Sequence, residues 1–130
     1  MPLLDTHVWL WWASYRQREF SAKAIEAIRD PQGISVSAIS CWEIAWLIER
    51  DRLRLGIPAS QWIETATAAP GVTVLDVTQG IAVRAGSFSA KELHRDPADR
   101  FIVATAIEHG LTLVTRDRAI RDAGVVETIW

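Results

Sequence analysis

The stretch HRDPADRFIVATAIEHGLTLVTRD, residues 94–117, combines the signals of a helix and of a buried strand that follows it. Asp96 and Pro97 are typical of a helix start, because an aspartate caps free N–H groups and proline fits the first helical position. Gly110 is typical of a helix end. The run LTLVT at 111–115 is apolar and β-branched and indicates a strand. This stretch therefore predicts one helix–strand unit of an α/β fold.

The same alternation extends over the rest of the chain. Strands are predicted at residues 2–5, 33–39, 71–77, 111–115 and 125–130. Helices are predicted at 6–15, 20–31, 40–53, 58–69, 78–88, 97–109 and 116–124, the third of them opening with Ser40. Strands that alternate with helices imply right-handed crossovers and a parallel sheet covered on both faces. We expect a three-layer α/β/α sandwich around a mainly parallel sheet, with residues 1–130 forming one domain.

Composition excludes several classes of protein. A chain of 130 residues that is 49% hydrophobic can bury a core, and its net charge of −2 lacks the positive excess of a groove-binding protein. Cys41 has no second cysteine to pair with, which fits a reducing compartment. The first residues carry no basic leader, and no apolar run is long enough to span a bilayer. A cytoplasmic protein is expected.

Acidic residues gather where the predicted strands end. Asp5 ends the first strand, Glu43 follows the second, and Asp117 lies just beyond the fourth. Asp96 and Asp99 open the helix that leads into the fourth strand. In parallel sheets, ligands bind beyond the carboxyl ends of the strands. Each acid also has a structural interpretation, since Ser40–Glu43 and Asp96–Asp99 fit capping boxes, Asp117 fits a helix cap and Asp5 fits a turn.

If these carboxylates converge, they need a cation. Two unit charges about 4 Å apart repel by roughly 4 kcal/mol at an effective dielectric of about 20. Neighbouring arginines could neutralise them or could hold a substrate instead. Carboxylate oxygens without histidine or cysteine pairs favour Mg²⁺ or Mn²⁺, and such ions suit phosphoryl chemistry.

Two other acid-rich α/β designs do not fit. A response-regulator receiver needs a lysine after a late strand, and neither Lys23 nor Lys91 follows one. A phosphatase of the haloacid-dehalogenase type needs a second aspartate two residues after the first, where this chain has His7.

Four motifs, in order along the chain, resemble those of the PIN-domain ribonucleases, specifically the VapC-type toxins of toxin–antitoxin pairs. LLDTHVWLW is similar to the opening motif and SVSAISCWEIA to the second. DRFIVATA is similar to the third motif and LVTRD to the fourth. One such motif alone would be weak, whereas four in order over nearly the whole chain are specific.

The resemblance implies an endoribonuclease that depends on Mg²⁺ or Mn²⁺. It places Asp5, Glu43, Asp99 and Asp117 around the metal, with Asp96 either sharing the ion or capping its helix. The expected substrate contacts are Thr6, Ser37, Ser40, Thr115, Arg100 and Arg116. The alternative is a PIN-like domain that has lost catalysis and serves as an interaction module.

The resemblance also implies partners, namely an RNA substrate, a cognate VapB-type antitoxin and a second copy of the chain. An antitoxin would place a basic side chain among the carboxylates and bury apolar residues against exposed tryptophans, for which Trp9, Trp12 and Trp46 are the candidates. His7, beside three tryptophans, is expected to be a packed structural histidine.

Overall fold

The computed structural model describes residues 1–130, apart from the side chain of Gln17. Over these residues it contains a five-stranded sheet in which every pairing is parallel, in the order β3-β2-β1-β4-β5. The strands are β1 (Leu3–Leu4), β2 (Ile34–Ser37), β3 (Val72–Leu75), β4 (Leu113–Val114) and β5 (Thr128–Ile129). This order puts β1, the strand that carries the first acid, at the centre of the sheet.

Helices cover both faces of the sheet. They are α1 (Thr6–Ala13), α2 (Ala22–Ile28), α3 (Ala38–Glu49), α4 (Ala59–Ala68), α5 (Gln79–Ser87), α6 (Pro97–His109) and α7 (Arg118–Ala123), with a 3₁₀ turn at Gln17–Glu19. Leu4 packs on one face with apolar residues of α1, α2 and α3. Leu3 points the opposite way and packs with residues of α6 and α7, as alternation along a strand requires. The predicted α/β/α sandwich is confirmed.

Several helix starts confirm the caps expected from the sequence. Ser21 caps α2, Asp96 caps α6 with Pro97 in its first turn, and Asp117 caps α7. Gly110 adopts φ 63°, the left-handed conformation that ends many helices, directly after α6.

The start of α3 differs from the prediction. The helix begins at Ala38, before Ser40, because Ser37 is its cap and accepts a hydrogen bond from the N–H of Ile39. The predicted capping box of Ser40 and Glu43 is therefore wrong. The side chain of Glu43 is not used at the helix start, and it remains available to the cavity described below.

Two strands, β1 and β5, are shorter in the structure than the sequence predicts. Asp5 is the cap of α1 rather than the end of β1, so β1 has only two residues. The strand predicted at 125–130 pairs only where β4 offers partners, with Leu113 opposite Thr128 and Val114 opposite Ile129. Strand length here follows the neighbouring strand rather than local residue preference. None of the described helices is long and apolar enough to cross a membrane.

Candidate metal centre

The predicted acids meet in one open cavity at the carboxyl ends of β1 and β4. The cavity measures about 500 Å³. Its lining comprises Asp5, Thr6, His7, Trp11, Glu43, Asp96, Asp99, Arg116 and Asp117. The four acids of the motifs and the additional Asp96 are therefore neighbours in space, although they are up to 112 positions apart in the chain, from Asp5 to Asp117.

Asp5 is buried and held by both of its oxygens. Oδ1 accepts a hydrogen bond from the N–H of Val8 at 2.8 Å, which caps α1, and Oδ2 accepts one from the hydroxyl of Thr115. Burial raises the pKa of the Asp5 carboxyl, and the hydrogen bonds from Thr115 and Val8 partly oppose that rise. The carboxylate is thus fixed in position but poorly solvated, which is the situation that a bound cation relieves.

Glu43 projects from α3 into the same cavity. Burial raises its pKa, a hydrogen bond from Thr6 lowers it, and the charge of Asp96 raises it again. Oγ1 of Thr6 also lies 2.9 Å from Oγ of Ser40, within hydrogen-bond distance. Thr6 and Ser40 are both buried, so these hydroxyls brace the acidic side chain from α1 and α3.

The pKa of the Asp99 carboxyl is raised well above the ordinary carboxyl range. Burial raises its pKa to about 7, against a hydrogen bond from His94, and the charges of Asp96 and Glu43 contribute to the rise. Oδ2 of Asp99 lies 2.7 Å from Nε2 of His94. His94, Asp99 and Asp117 each offer one ligand atom within 4.8 Å of the others. The sequence interpretation included no histidine beside these acids, so His94 is a neighbour of Asp99 and Asp117 that it missed.

The remaining acids, Asp96 and Asp117, each cap a helix and also line the cavity. Oδ1 of Asp96 accepts the N–H of Asp99 at 3.0 Å, and Oδ1 of Asp117 accepts the N–H of Ile120 at 2.9 Å. Both caps are real, and both side chains still line the cavity. The structural and the metal-binding interpretations of these two acids are therefore compatible.

The two arginines expected to contact the substrate lie in different places, and only Arg116 is at the cavity. Arg116 lies on the cavity wall, where its guanidinium is 3.1 Å from Glu19 and 5.9 Å from the ring centre of Trp11. Arg100 does not point to the cavity; it donates to backbone carbonyls of the segment before α6. Arg100, which was expected to contact the substrate, is therefore not among the residues that line the cavity, because these bonds hold its guanidinium on the segment before α6.

Two expectations, those for His7 and Trp9, are also corrected. His7 is exposed on the cavity wall rather than packed in the core. Trp9 is only 1% exposed and packs edge-on against a tryptophan of α4, so it is a core residue rather than a surface contact. Trp12 and Trp46 are half-buried. A different tryptophan, Trp42, is the one that is largely exposed, at 49%.

The donor set fits a hard divalent cation. Carboxylate oxygens from Asp5, Glu43, Asp99 and Asp117 surround the cavity, and oxygen ligands are those that Mg²⁺ and Mn²⁺ prefer. Burial is the main cause of the raised pKa values of Asp5, Glu43 and Asp99, so ionised carboxylates are poorly solvated in this cavity. A cation bound there would lower the cost of ionising them.

Known proteins resemble this chain in sequence and in fold. Ribonuclease VapC22 of Mycobacterium tuberculosis (strain ATCC 25618 / H37Rv) is 43% identical over 119 residues, which are 92% of this chain and 88% of that protein. VapBC2 from Rickettsia felis, solved bound to a promoter DNA fragment, superposes with a TM-score of 0.70 at 13% identity over 98% of this chain and 96% of that one. FitAcB from Neisseria gonorrhoeae superposes with a TM-score of 0.65 at 26% identity over 100% and 97% of the two chains.

The family assignment follows from the sequence match together with the fold. The PIN domain family matches residues 3–126, which contain all of the acids in the cavity. The resemblance noted in the four motifs is thereby confirmed. The chain belongs to the PIN domain family and, within it, to the VapC-type proteins.

Proposed function

We propose that this protein is a divalent-metal-dependent endoribonuclease, acting in the cytoplasm as the toxin of a toxin–antitoxin pair. The observation that carries the proposal is the convergence of Asp5, Glu43, Asp99 and Asp117 on one cavity in a chain that is 43% identical to a ribonuclease. The metal is Mg²⁺ or Mn²⁺, held by those four carboxylates with Asp96 beside them.

Different residues of the cavity have different roles in phosphodiester hydrolysis. A bound divalent ion stabilises charge that develops on the phosphate and lowers the pKa of water. Asp5 is fixed by Val8 and Thr115, so its carboxylate is preorganised and loses little entropy on binding. Glu43 lines the cavity, where its ionised carboxylate can accept the proton of the attacking water. Arg116 supplies a guanidinium at the cavity wall that can contact the RNA phosphate.

RNA cleavage tests the metal mechanism directly. Wild type, Asp5→Asn and Glu43→Gln are compared on total RNA with Mg²⁺, with Mn²⁺ and with EDTA. We expect cleavage by wild type with metal only, and a loss of about 100-fold or more in the variants, since each removes a charge from the ion's surroundings. Asp122→Asn is the matched control, because Asp122 is an exposed acid outside the cavity.

Two outcomes would contradict the proposal. Equal cleavage with metal and with EDTA rules out the metal mechanism. Absence of cleavage by a folded wild type with either metal favours the alternative, an interaction module with this fold. Circular dichroism of every variant confirms that the fold is retained.

We also propose a protein partner and a second copy of the chain. A cavity lined by five acids is best closed by a basic side chain of an antitoxin, which replaces the cation and gains charge-assisted hydrogen bonds. Trp12 lies in an apolar groove with Trp62 and Val72 that could receive apolar residues of that partner. Expression without the antitoxin should arrest growth, and Asp5→Asn should relieve the arrest. Harmless high-level expression of the wild type would contradict the toxin role.

A further inference from the structure

The segment that precedes α6 is held by an unusual set of hydrogen bonds from one arginine. Nε of Arg100 donates to the carbonyl of His94 at 2.9 Å, and Nη2 donates to that of Leu93 at 3.1 Å. Nη1 donates to the carbonyl of Phe88 at 2.8 Å. One guanidinium therefore joins the end of α5 to the residues just before α6. Its planar, fixed fork of donors makes this connection rigid.

This arrangement fixes the imidazole of His94 against Asp99. Leu93 is buried in the core beside it, so the backbone at this point is anchored from two sides. Nε2 of His94 then lies 2.7 Å from Oδ2 of Asp99. An ionised carboxylate only accepts hydrogen bonds, so Nε2 carries the proton and donates it when Asp99 is ionised.

The other ring nitrogen indicates what the histidine is for. Nδ1 of His94 is buried and has no hydrogen-bond partner among the described residues. Leaving a buried polar atom unsatisfied is costly, so this ring orientation is not explained by its own packing. It is explained if the orientation serves the bond between Nε2 and Asp99.

His94 could bind the metal itself or orient a residue that does, and its position relative to the cavity favours the second role. Asp99 lines the cavity, whereas His94 is not among the residues that line it. With Oδ2 engaged by the imidazole, Oδ1 of Asp99 is the oxygen left for a cation. A histidine behind a ligating carboxylate orients that ligand and commonly changes metal affinity by about 10–100-fold.

We propose that His94 is a positioning residue, held by Arg100, which orients the carboxylate of Asp99 toward the divalent cation. The inference rests on the proposed function, since it assumes that Asp99 is a metal ligand. It also gives Arg100 a role in the site at a distance, without contact with substrate or metal.

Mn²⁺ binding followed by electron paramagnetic resonance tests the proposal without any measurement of cleavage. The proteins are wild type, His94→Ala, His94→Gln and Arg100→Met, and free Mn²⁺ is titrated into each. We expect the dissociation constant to rise about 10–100-fold in His94→Ala and in Arg100→Met. His94→Gln should recover most of the affinity, because the glutamine amide can place an N–H donor near the position of Nε2.

Controls separate positioning from loss of fold. His109→Gln and Arg84→Met change the same residue types at exposed positions outside the cavity and should bind Mn²⁺ like wild type. Thermal melting in EDTA reports the stability of each variant. The Mn²⁺ affinity of Arg100→Met is compared with that of His94→Gln, because His94→Gln leaves the arginine and its hydrogen bonds to the carbonyls in place.

Three results would overturn the inference. Unchanged Mn²⁺ affinity in a folded His94→Ala rules out positioning by this residue. Hyperfine coupling between Mn²⁺ and an imidazole nitrogen in wild type would make His94 a ligand rather than a positioning residue. Absence of Mn²⁺ binding by wild type would overturn this inference and the proposed metal mechanism together, whereas the first two outcomes leave the proposed function intact.

Discussion

Asp96 and Asp99 show how two acids three positions apart take different duties within one short motif. The carboxylate of Asp96 accepts the N–H of Asp99, so its first contact is with the helix end. The carboxylate of Asp99 instead contacts His94 and faces the other acids. The sequence could predict that a helix starts here and that the two acids are close together. It could not predict how the carboxylate of Asp99 is held. That depends on the position of His94, which is set by the tertiary contacts of the segment between α5 and α6.

A pair of substitutions at Asp96 separates its cap from its charge. Asp96→Ala removes both and should lower the free energy of unfolding in EDTA by about 1 kcal/mol, the usual value of a helix cap. Asp96→Asn keeps a cap and removes the charge that raises the pKa values of Glu43 and Asp99, so its stability should equal or exceed that of wild type. Urea denaturation of both variants measures the difference. Equal losses in the two variants would show that the cap contributes nothing.

Other side chains escaped prediction because their direction depends on tertiary contacts. His7 is close in sequence to several tryptophans, which favoured a packed environment, yet α1 begins at Thr6 and turns the imidazole outward. Arg100 carries the charge of a substrate contact, but backbone carbonyls take up its donors. Residue type limits what a side chain can do, whereas the backbone geometry around it decides what it does.

At the scale of elements, alternation along the chain was enough to predict the type and order of the strands and helices. Helix α6 illustrates why, since Asp96, Pro97 and Gly110 are local signals that act through adjacent backbone groups. The lengths of β1 and β5 were not predictable in the same way. Asp5 ends β1 by capping α1, whereas β5 pairs with β4 only at Thr128 and Ile129, so the length of β5 depends on a neighbour in the sheet rather than on local sequence.

Gly33 is an element-scale feature that only the folded chain explains. It precedes β2 with φ 89°, and a Cβ at this position would lie 2.2 Å from the carbonyl oxygen of Gly71. That same oxygen accepts the N–H of Ile34 at 2.8 Å at the start of the β2–β3 pairing. A side chain here would therefore meet backbone that has no freedom to move away.

Gly33→Ala should destabilise the protein more than an ordinary glycine substitution. Strain at positive φ costs about 1–3 kcal/mol, and the clash with Gly71 adds to it. Gly56→Ala is the matched control, because Gly56 has φ 76° and no atom lies within 4 Å of the position that a Cβ would take there. Urea denaturation of both variants isolates the clash. A loss in Gly33→Ala no greater than that in Gly56→Ala would contradict the close approach of the two backbones.

At the scale of the whole molecule, a near-neutral composition conceals a concentrated negative site. The net charge is −2, yet five carboxylates share one cavity. The parallel order of the strands produces this concentration, since β1 and β4 are neighbours and both end at the cavity. The sequence could predict the convergence from the parallel topology. It could not predict the burial that raises the pKa values, because burial depends on how α1, α3 and α6 close around the acids.

The raised pKa values predict how metal-free stability depends on pH. The folded protein retains protons on Asp5, Glu43 and Asp99 at pH values where the unfolded chain has released them. The contribution of Asp99 is therefore fully present below about pH 4, the ordinary carboxyl range, and is lost as the pH rises through about 7, its raised pKa. In EDTA, the part of the free energy of unfolding that depends on this group should therefore fall across that pH range, and the melting temperature of the protein should fall with it.

Divalent metal should reverse this trend, because it binds the ionised carboxylates of the folded state only. The rise in melting temperature on adding Mg²⁺ or Mn²⁺ should be small near pH 5 and should grow as the pH passes about 7, where Asp99 ionises without metal. Asp99→Asn removes that proton equilibrium and should abolish most of the metal-dependent rise while leaving metal-free stability equal or improved. Melting curves of wild type and Asp99→Asn, with EDTA and with metal at each pH, measure both effects. A metal-dependent rise that is independent of pH, or one that Asp99→Asn retains in full, would show that Asp99 is not part of the metal site.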